Sequence, residues 1–481
     1  LLKEGKSPAH RRLIFDEFFF LELGLALRRS GTLMEKGIPF SISHRYTSQL
    51  RKILPFSLTP AQERVLEEIE TDMRRPHPMN RLLQGDVGSG KTIVALLSGL
   101  MAIEGGYQVA IMAPTEILAE QHYLNIRPLV EKLGFRAALL HSSLKRSEKE
   151  TFLSRIRKGE IHVVIGTHAL IQKGVDFHNM GLCVVDEQHR FGVMQRSALR
   201  GKGPCPHVLV MSATPIPRTL ALTLYGDLDL SVLDELPPGR IEIKTKFLAP
   251  EQRQKAYDLV RKQIAEGRQA FIICPLIEES EAIETKAAIT EYERLSQSVF
   301  PDLRLGLLHG RLSGAEKEDV MRRFHSGEIH ILVSTPVVEV GVDVPNATVM
   351  LIEGADRFGL AQLHQFRGRV GRGQYQSYCL LLAETPSAEA RERLSLMERL
   401  RDGFKLAEED LKLRGPGEFF GTRQSGLPDL KMAKLSDIEL LELARREAIR
   451  LFNADPYLKQ KEHGLLAREV SRLWESEGEF S

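Results

Sequence analysis

Residues 80–92 read Asn-Arg-Leu-Leu-Gln-Gly-Asp-Val-Gly-Ser-Gly-Lys-Thr. A short apolar strand, Arg81–Gln84, runs straight into Gly85-Asp-Val-Gly-Ser-Gly-Lys-Thr92, which matches G-x-x-x-x-G-K-[ST]. Glycines at Gly85, Gly88 and Gly90 let the backbone N–H groups around Ser89 turn inward to cradle a phosphate. The N-terminus of the helix that follows adds positive potential. Lys91 would reach the β- and γ-phosphates, and the Thr92 hydroxyl would bind Mg²⁺. A chance glycine-rich turn is the plainer reading, but the strand before and the helix after favour the phosphate loop.

Outward from this loop, short apolar strands alternate with amphipathic helices from about residue 56 to 230. The expected strands are Arg81–Gln84, Gln108–Ala113, His162–Gly166, Leu182–Asp186 and Val208–Ser212. Pro237-Pro-Gly239 marks a break, and the pattern restarts with Ile241–Phe247, Ala270–Cys274, Leu303–Leu308, His330–Ser334, Val349–Ile352 and Tyr378–Leu382. Such alternation predicts parallel sheets covered on both faces. Ser313-Gly-Ala-Glu316 has the capping-box pattern of a helix start. The second set has no phosphate loop of its own. After about residue 385 the strands stop. Residues 386–412 read as a charged helical hairpin with Leu394, Leu396 and Leu400 inward, followed by a turn-rich loop, Arg414 to Gly426. Ser436-Asp-Ile-Glu439 is expected to open one helix and Pro456 another, running to about Glu475. Near the other end, Leu13, Phe18, Leu21 and Leu25 are apolar at helical spacing, predicting a linker helix over residues 10–30.

Three further stretches carry chemistry. Cys183-Val-Val-Asp-Glu187 is an apolar strand ending in two carboxylates. Asp186 would hold Mg²⁺, mainly through water, and Glu187 would orient or deprotonate an attacking water. A solvated strand end is the plainer reading of an acidic pair; its place after a phosphate loop, at a sheet's carboxyl edge, favours the chemical one. Residues 364–373 read His-Gln-Phe-Arg-Gly-Arg-Val-Gly-Arg-Gly. The guanidinium forks at Arg367, Arg369 and Arg372 suit phosphate oxygens. Alone, the run could equally be a solvated basic loop; with a phosphate loop far upstream, it predicts two lobes closing on one nucleotide. Finally, Phe56-Ser-Leu-Thr-Pro-Ala-Gln62 precedes the loop. The Gln62 amide can face an adenine edge and Phe56 can stack on the ring, while Thr59 with Pro60 also makes an ordinary helix start.

Bulk properties bound the rest. A chain of 481 residues is too long for one ordinary core, which predicts about two to four domains. Hydrophobic content of 42% and charged content of 27% are those of a globular protein. A net charge of +2 makes no global case for nucleic acid, so any such surface has to be local. Cys183, Cys205, Cys274 and Cys379 are at least 22 residues apart, which fits neither a zinc motif nor a disulfide framework and predicts a reduced cytosol. No apolar run is long enough for a bilayer; Phe18 to Leu27 is interrupted by Glu22. The chain begins at Leu1, without a signal-peptide pattern, and reads as a piece of something longer.

The series Gly85–Thr92, Asp186-Glu-Gln-His189, Ser212-Ala-Thr-Pro-Ile-Pro-Arg-Thr219 and Gln365–Arg372 resembles the motifs of superfamily 2 helicases. More narrowly it is similar to the RecG family of branch-migration translocases, which Arg190-Phe-Gly-Val193 and the 414–426 loop favour over relatives. The resemblance runs from about residue 10 to nearly the end. It implies an α/β fold of two RecA-like parallel-sheet lobes, then a helical hairpin and C-terminal helices. The implied domains are a linker region over 1–55, a first lobe over 56–238, a second over 239–385, a translocation hairpin and loop over 386–430, and C-terminal helices over 431–481.

The resemblance also implies roles. Gln62 reads adenine; Lys91, Thr92, Asp186 and Glu187 serve ATP, Mg²⁺ and hydrolysis; Gln188 and His189 sense the γ-phosphate and the interlobe cleft. Ser212, Ala213 and Thr214 couple that cleft to DNA. Gly341 and Asp343 serve the second lobe's side of the nucleotide, with Gln365 and two arginine fingers, Arg369 and Arg372. DNA contacts are expected at Pro114-Thr115, Gly166-Thr167-His168, His309-Gly310-Arg311, Thr335-Pro336, Arg414, Arg423 and Gln424. Taken singly, each of these is weak, and an isolated Thr-Pro is more often a helix cap. The implied function is ATP-driven translocation on double-stranded DNA that reverses stalled forks and migrates Holliday junctions; a transcription–repair coupling translocase is the alternative. The implied partners are branched DNA and a single-stranded-DNA-binding protein, for a monomer in the bacterial cytoplasm at the nucleoid. Residues 1–55 resemble only the linker that follows the family's OB-type wedge domain, so the sequence is expected to be a fragment without that wedge.

Overall fold

A computed structural model describes residues 7–33, 36–141, 146–172, 174–186, 205–217, 221, 228–237, 239–275, 281–336, 344–414, 430–433 and 437–475. Among them, two all-parallel sheets dominate. The first contains β1 (Asn80–Gly85), β2 (Gln108–Met112), β3 (Ala137–Leu140), β4 (Val163–Gly166), β5 (Met180–Val185), β6 (His207–Ser212) and β7 (Asp229–Leu233), in the order β3-β4-β2-β5-β6-β1-β7. The second contains β8 (Lys244–Leu248), β9 (Gln269–Ile273), β10 (Leu305–Leu308), β11 (Ile331–Ser334), β12 (Ala347–Ile352) and β13 (Tyr378–Leu382), in the order β10-β11-β9-β12-β13-β8. Central strands such as β1, β5, β6 and β12 are buried along their whole length, as their continuous apolar runs require of strands covered on both faces.

Two strands went unread in the sequence, β3 and β7, and both lie at edges of the first sheet. Each has only four or five residues and buries one face, so its apolar signal is half that of a central strand. In the second sheet the first strand begins at Lys244 rather than Ile241, because its register is set by pairing Lys244–Leu248 with Tyr378–Leu382.

The helix Lys91–Glu104 is buried from Val94 to Ile103 and forms the spine of the first core. Burying each such Leu, Ile or Val side chain stabilises the fold by about 1.5–3 kcal/mol. The helix Pro60–Met73 starts where expected. Thr59 Oγ1 accepts from Gln62 N (3.2 Å) and Gln62 Oε1 accepts from Thr59 N (2.9 Å), a reciprocal cap. Ser313 and Glu316 form the expected box on Gly314–His325.

The hairpin is present as Ala388–Arg399 and Gly403–Arg414. Ser387 caps the first helix through Ala390 N, and Asp402 caps the second through Phe404 N. Leu394, Met397 and Leu406 enter the second core, with Leu396 and Leu400 packed against its edge.

The N-terminal helix spans Pro8–Leu33 and packs on Ile438–Ala454 and Gly464–Glu475, more than 400 residues later in the chain. Its buried stripe is Ile14, Phe18, Leu21 and Leu25; Leu13, read as part of the stripe, is 49% exposed because Ile14 takes that place. Phe40, Ile42 and Leu50 belong instead to the first lobe's core. The last helix begins at Gly464, not Pro456. The Asp455 carboxylate accepts from Lys459 N and Gln460 N, and Leu458 has φ +49°, so the chain turns before it can coil. Among the described residues, no helix is long and apolar enough to cross a membrane.

Candidate active site at the lobe interface

The phosphate loop leaves β1 at Gly85 and enters the helix at Lys91. Gly88 and Gly90 have φ of +79° and +86°, a left-handed backbone that side chains rarely adopt. Added side-chain carbons there would meet the Arg240 guanidinium over Gly88 and the Gln62 amide over Gly90. Lys91 Nζ donates to Gly85 O (2.8 Å) and Asp86 O (2.9 Å), folding back across the loop. Ser89 Oγ is fully buried without a hydrogen-bond partner among the described residues. A loop with two left-handed glycines, an ammonium folded over its carbonyls and an orphaned hydroxyl fits a phosphate group.

The Thr59–Pro60 helix start, the plainer sequence reading of this stretch, is present, and Gln62 takes part in it. Its Oε1 caps the helix and its Nε2 donates to Ser89 O (2.9 Å), so the amide braces the loop from behind. A contact to adenine would have to exchange one of these bonds. Phe56 is 48% exposed. Thr92 lies half-buried in the first turn of the Lys91 helix. Asp186 stands just past β5, buried, with Oδ2 2.7 Å from His122 Nε2. Sequence reasoning passed over His122; no local pattern links residues 64 apart. Glu187, Gln188, His189, Gly341, Asp343, Arg423 and Gln424 lie outside the described residues, as does the side chain of Arg414.

The arginine run approaches from the second lobe at the end of the helix Leu360–Arg367. His364 Nε2 lies 2.6 Å from Asp86 Oδ1 across the cleft. Its Nδ1 lies 2.7 Å from Arg367 Nη2, which can only donate, so Nδ1 accepts and the Nε2–H donates to Asp86. Burial pushes the Asp86 carboxyl up, but the His364 bond, the Val87 N–H and the nearby Lys91 charge outweigh it and hold the group below the ordinary aspartate value. Gln365 Nε2 donates to Thr214 Oγ1 (2.9 Å), joining the same helix to the segment after β6. Arg369 is buried and Arg372 half-buried, its Nε–H pointing at Gly368 O (3.4 Å).

Arg367, ambiguous in the sequence, is structural. Its buried fork donates to Met397 O (3.0 Å), Leu400 O (2.8 Å) and Arg401 O (2.9 Å), the carbonyls at the turn of the hairpin. Burial pulls the Arg367 pKa down, which the nearby Cys379 and Asp86 do not offset. Gly403 opens the second hairpin helix against the same histidine: a side-chain carbon there would lie 2.5 Å from His364 Nε2 and 2.9 Å from Pro215. A second contact missed in the sequence is Arg240, just after the interlobe break. Its Nη1 donates to Val87 O (2.6 Å) and its Nε to Gly371 O (3.3 Å), bridging the phosphate loop and the arginine run.

The segments expected to touch DNA occupy strand ends and helix starts. Thr115 is the N-cap of Glu116–Lys132, its hydroxyl accepting from Leu118 N, so the plainer cap reading holds there. Thr167 precedes a short turn of helix with His168 exposed beside it. In the second lobe, Arg311 is exposed and Thr335 is buried after β11. Burial, aided by Lys317, lowers the His309 pKa. A cavity of about 560 Å³, lined by Arg253, Cys274, Arg294 and Glu353 among others, opens at the ends of β9 and β12 and does not include the phosphate loop.

Residues 59–223 match the family model of the DEAD/DEAH box helicase, 251–374 that of the helicase conserved C-terminal domain, and 400–480 that of ATP-dependent DNA helicase RecG, domain 3, C-terminal. The ATP-dependent DNA helicase RecG of Synechocystis is 53% identical over 95% of this chain and 55% of its own length. That of Bacillus subtilis is 49% identical over 99% of this chain and 70% of its own. The chain thus spans little more than half of the first relative. A solved structure of RecG bound to a three-way DNA junction aligns with TM-score 0.76 at 48% identity, over 91% of this chain and 57% of that one. The DUF1998 helicase MrfA, 18% identical, shares the fold alone, with TM-score 0.55 over 86% of this chain and 62% of that one. With this identity along nearly its whole length, the chain belongs to the RecG family of ATP-dependent DNA helicases.

Proposed function

We propose that this chain is the motor of an ATP-driven double-stranded DNA translocase that remodels branched DNA, reversing stalled forks and migrating Holliday junctions in recombination and repair. The observation that carries the reading is one continuous line of hydrogen bonds. It runs from Asp86 in the phosphate loop through His364 and Arg367 to the carbonyls of Met397, Leu400 and Arg401 in the hairpin. A group beside the phosphates is thereby bonded to the element that leads into residues 414–426, the sequence's expected grip on the duplex.

In this reading Lys91 exchanges its carbonyl partners for phosphate oxygens, and Arg369 and Arg372 stabilise charge on the γ-phosphate from the other lobe. Glu187 orients the attacking water. Thr92 and Asp186 would hold Mg²⁺, which when bound would neutralise charge between the phosphates. Gly341 and Asp343 serve the nucleotide from the second lobe, and Gln62 and Phe56 the adenine. The Gln365–Thr214 bond couples hydrolysis to strand contacts at Thr115, Thr167, His168, His309, Arg311 and Thr335, with Arg414, Arg423 and Gln424 on the duplex. The junction-bound RecG structure supports branched DNA as the ligand. Identities of 53% and 49% to RecG proteins do not favour the transcription–repair coupling reading. A monomer in the bacterial cytoplasm, at the nucleoid beside a single-stranded-DNA-binding protein, completes the proposal.

Phosphate release, measured without DNA and with linear duplex, a three-way junction or RNA, tests it. The junction should stimulate most. Equal rates on all four would remove the translocase reading, and stimulation by RNA alone would point to an RNA helicase.

A further inference from the structure

The backbone of Asp186 is fixed by its N–H bond to Met112 O (2.8 Å). The terminal torsion of a carboxylate is intrinsically broad and roughly two-fold. His122 narrows it through a hydrogen bond. Its Nε2 lies 2.7 Å from Asp186 Oδ2, with the two residues only 5% and 7% exposed. An ionised carboxylate can only accept, so the imidazole Nε2–H donates. The ring is itself well held. It projects from the helix Glu116–Lys132, whose buried residues Leu118, Ala119, Ile126 and Val130 anchor it in the first lobe's core. A buried imidazole on a rigid helix, aimed at the residue that follows a central strand, is placed to hold the carboxylate in one orientation.

We propose that His122 is a positioning residue for the metal site, presenting the Asp186 carboxylate to the divalent cation. The inference rests on the reading of Asp186 as the Mg²⁺ residue. Outer partners of metal-binding carboxylates typically matter by about 10–100-fold in metal affinity. The effect should therefore be large in cation binding and small in nucleotide binding without metal.

The test uses the full chain, a non-hydrolysable ATP analogue and Mn²⁺ as the probe, with free Mn²⁺ followed by its paramagnetic resonance signal. Glutamine places an amide N–H where the imidazole Nε2 lies, while asparagine is too short to reach Asp186. His122→Asn should weaken Mn²⁺ binding by about 10–100-fold, with affinity for the analogue in EDTA unchanged. His122→Gln should restore most of the loss. Wild-type Mn²⁺ affinity in His122→Asn overturns the proposal, provided Asp186→Asn loses binding in the same assay. If Asp186→Asn also binds like the wild type, the metal reading of Asp186 is what fails. Should His122→Asn not fold, judged by circular dichroism, the comparison passes to His122→Gln against His122→Leu. Equal Mn²⁺ affinity in those two overturns the proposal as well.

Discussion

His364 and Asp86 lie 278 residues apart in the chain, yet their side chains meet at 2.6 Å across the interlobe cleft. The carboxylate belongs to the proposed phosphate loop, and the imidazole to a helix bonded to the hairpin. The contact is a shared joint between the nucleotide site and the proposed DNA-moving element. Hydrogen bonds to a charged group are worth about 1.5–3 kcal/mol, enough to bias a two-position equilibrium between the lobes.

Breaking this joint should uncouple the motor without stopping it. His364→Leu is expected to retain ATP binding and DNA-stimulated hydrolysis while branch migration per ATP falls by about tenfold. Gly403→Ala approaches from the hairpin side, since its new methyl would strike His364 at 2.5 Å, and should have the same effect. Parallel assays of phosphate release and junction migration check both. Loss of hydrolysis and migration together would mean that the joint maintains the fold instead.

The Asp86 carboxyl is held below its ordinary value, which sets a pH window. An aspartate depressed in the folded state stabilises fully above its unfolded value of about 3.9. That contribution is lost as pH falls through the folded value. Asp86→Asn should therefore be less stable than the wild type at neutral pH. The gap should close only below about pH 3.9. Urea unfolding of both proteins from pH 7 downward measures it. A gap that closes between pH 7 and 5 would show that another group titrates.

The parts of this site that were legible in the sequence are those that one stretch of backbone builds alone. The phosphate loop, the Asp186 strand end and the arginine run each occupy a short segment, because a turn, a strand edge and a helix end bring their own geometry. The Thr59–Gln62 cap was legible for the same reason. What was not legible depends on strand order. His122 meets Asp186 because β2 and β5 are neighbours in the sheet, and His364 meets Asp86 only once two lobes dock. Arg240 follows a Pro-Pro-Gly break that reads as a linker, and nothing local says that its guanidinium will span Val87 and Gly371. The N-terminal helix read correctly as a helix, but its partners lie at the far end of the chain.

Lys91 and Arg372 test the two sides of the nucleotide separately. Lys91→Ala should abolish hydrolysis, and ordinary turnover in that variant would remove the phosphate-loop assignment. Arg372→Ala should leave ATP binding nearly intact while kcat falls by about 10³–10⁵-fold, the usual worth of an arginine finger. Equilibrium binding of a fluorescent ATP analogue alongside single-turnover hydrolysis separates these outcomes. Weakened binding with unchanged turnover of bound ATP would place Arg372 in ground-state recognition.

The Gln365–Thr214 bond offers the most direct test that the lobes communicate. It is a neutral contact between side chains, 2.9 Å long, joining the arginine-bearing helix to the segment after β6. Thr214 O also accepts from Gln84 Nε2 (3.1 Å), next to the phosphate loop, so the bond ties the arginine-bearing helix to the strand that carries the loop. Gln365→Ala, Thr214→Val and the double variant form a thermodynamic cycle on the DNA-stimulated rate. If the bond transmits closure, the two losses should not add, with a coupling energy of about 0.5–3 kcal/mol. The same cycle run on the basal rate without DNA should be close to additive, since the open lobes then gain nothing from the contact. Additivity in both conditions would mean that each residue acts alone and that this bond transmits nothing.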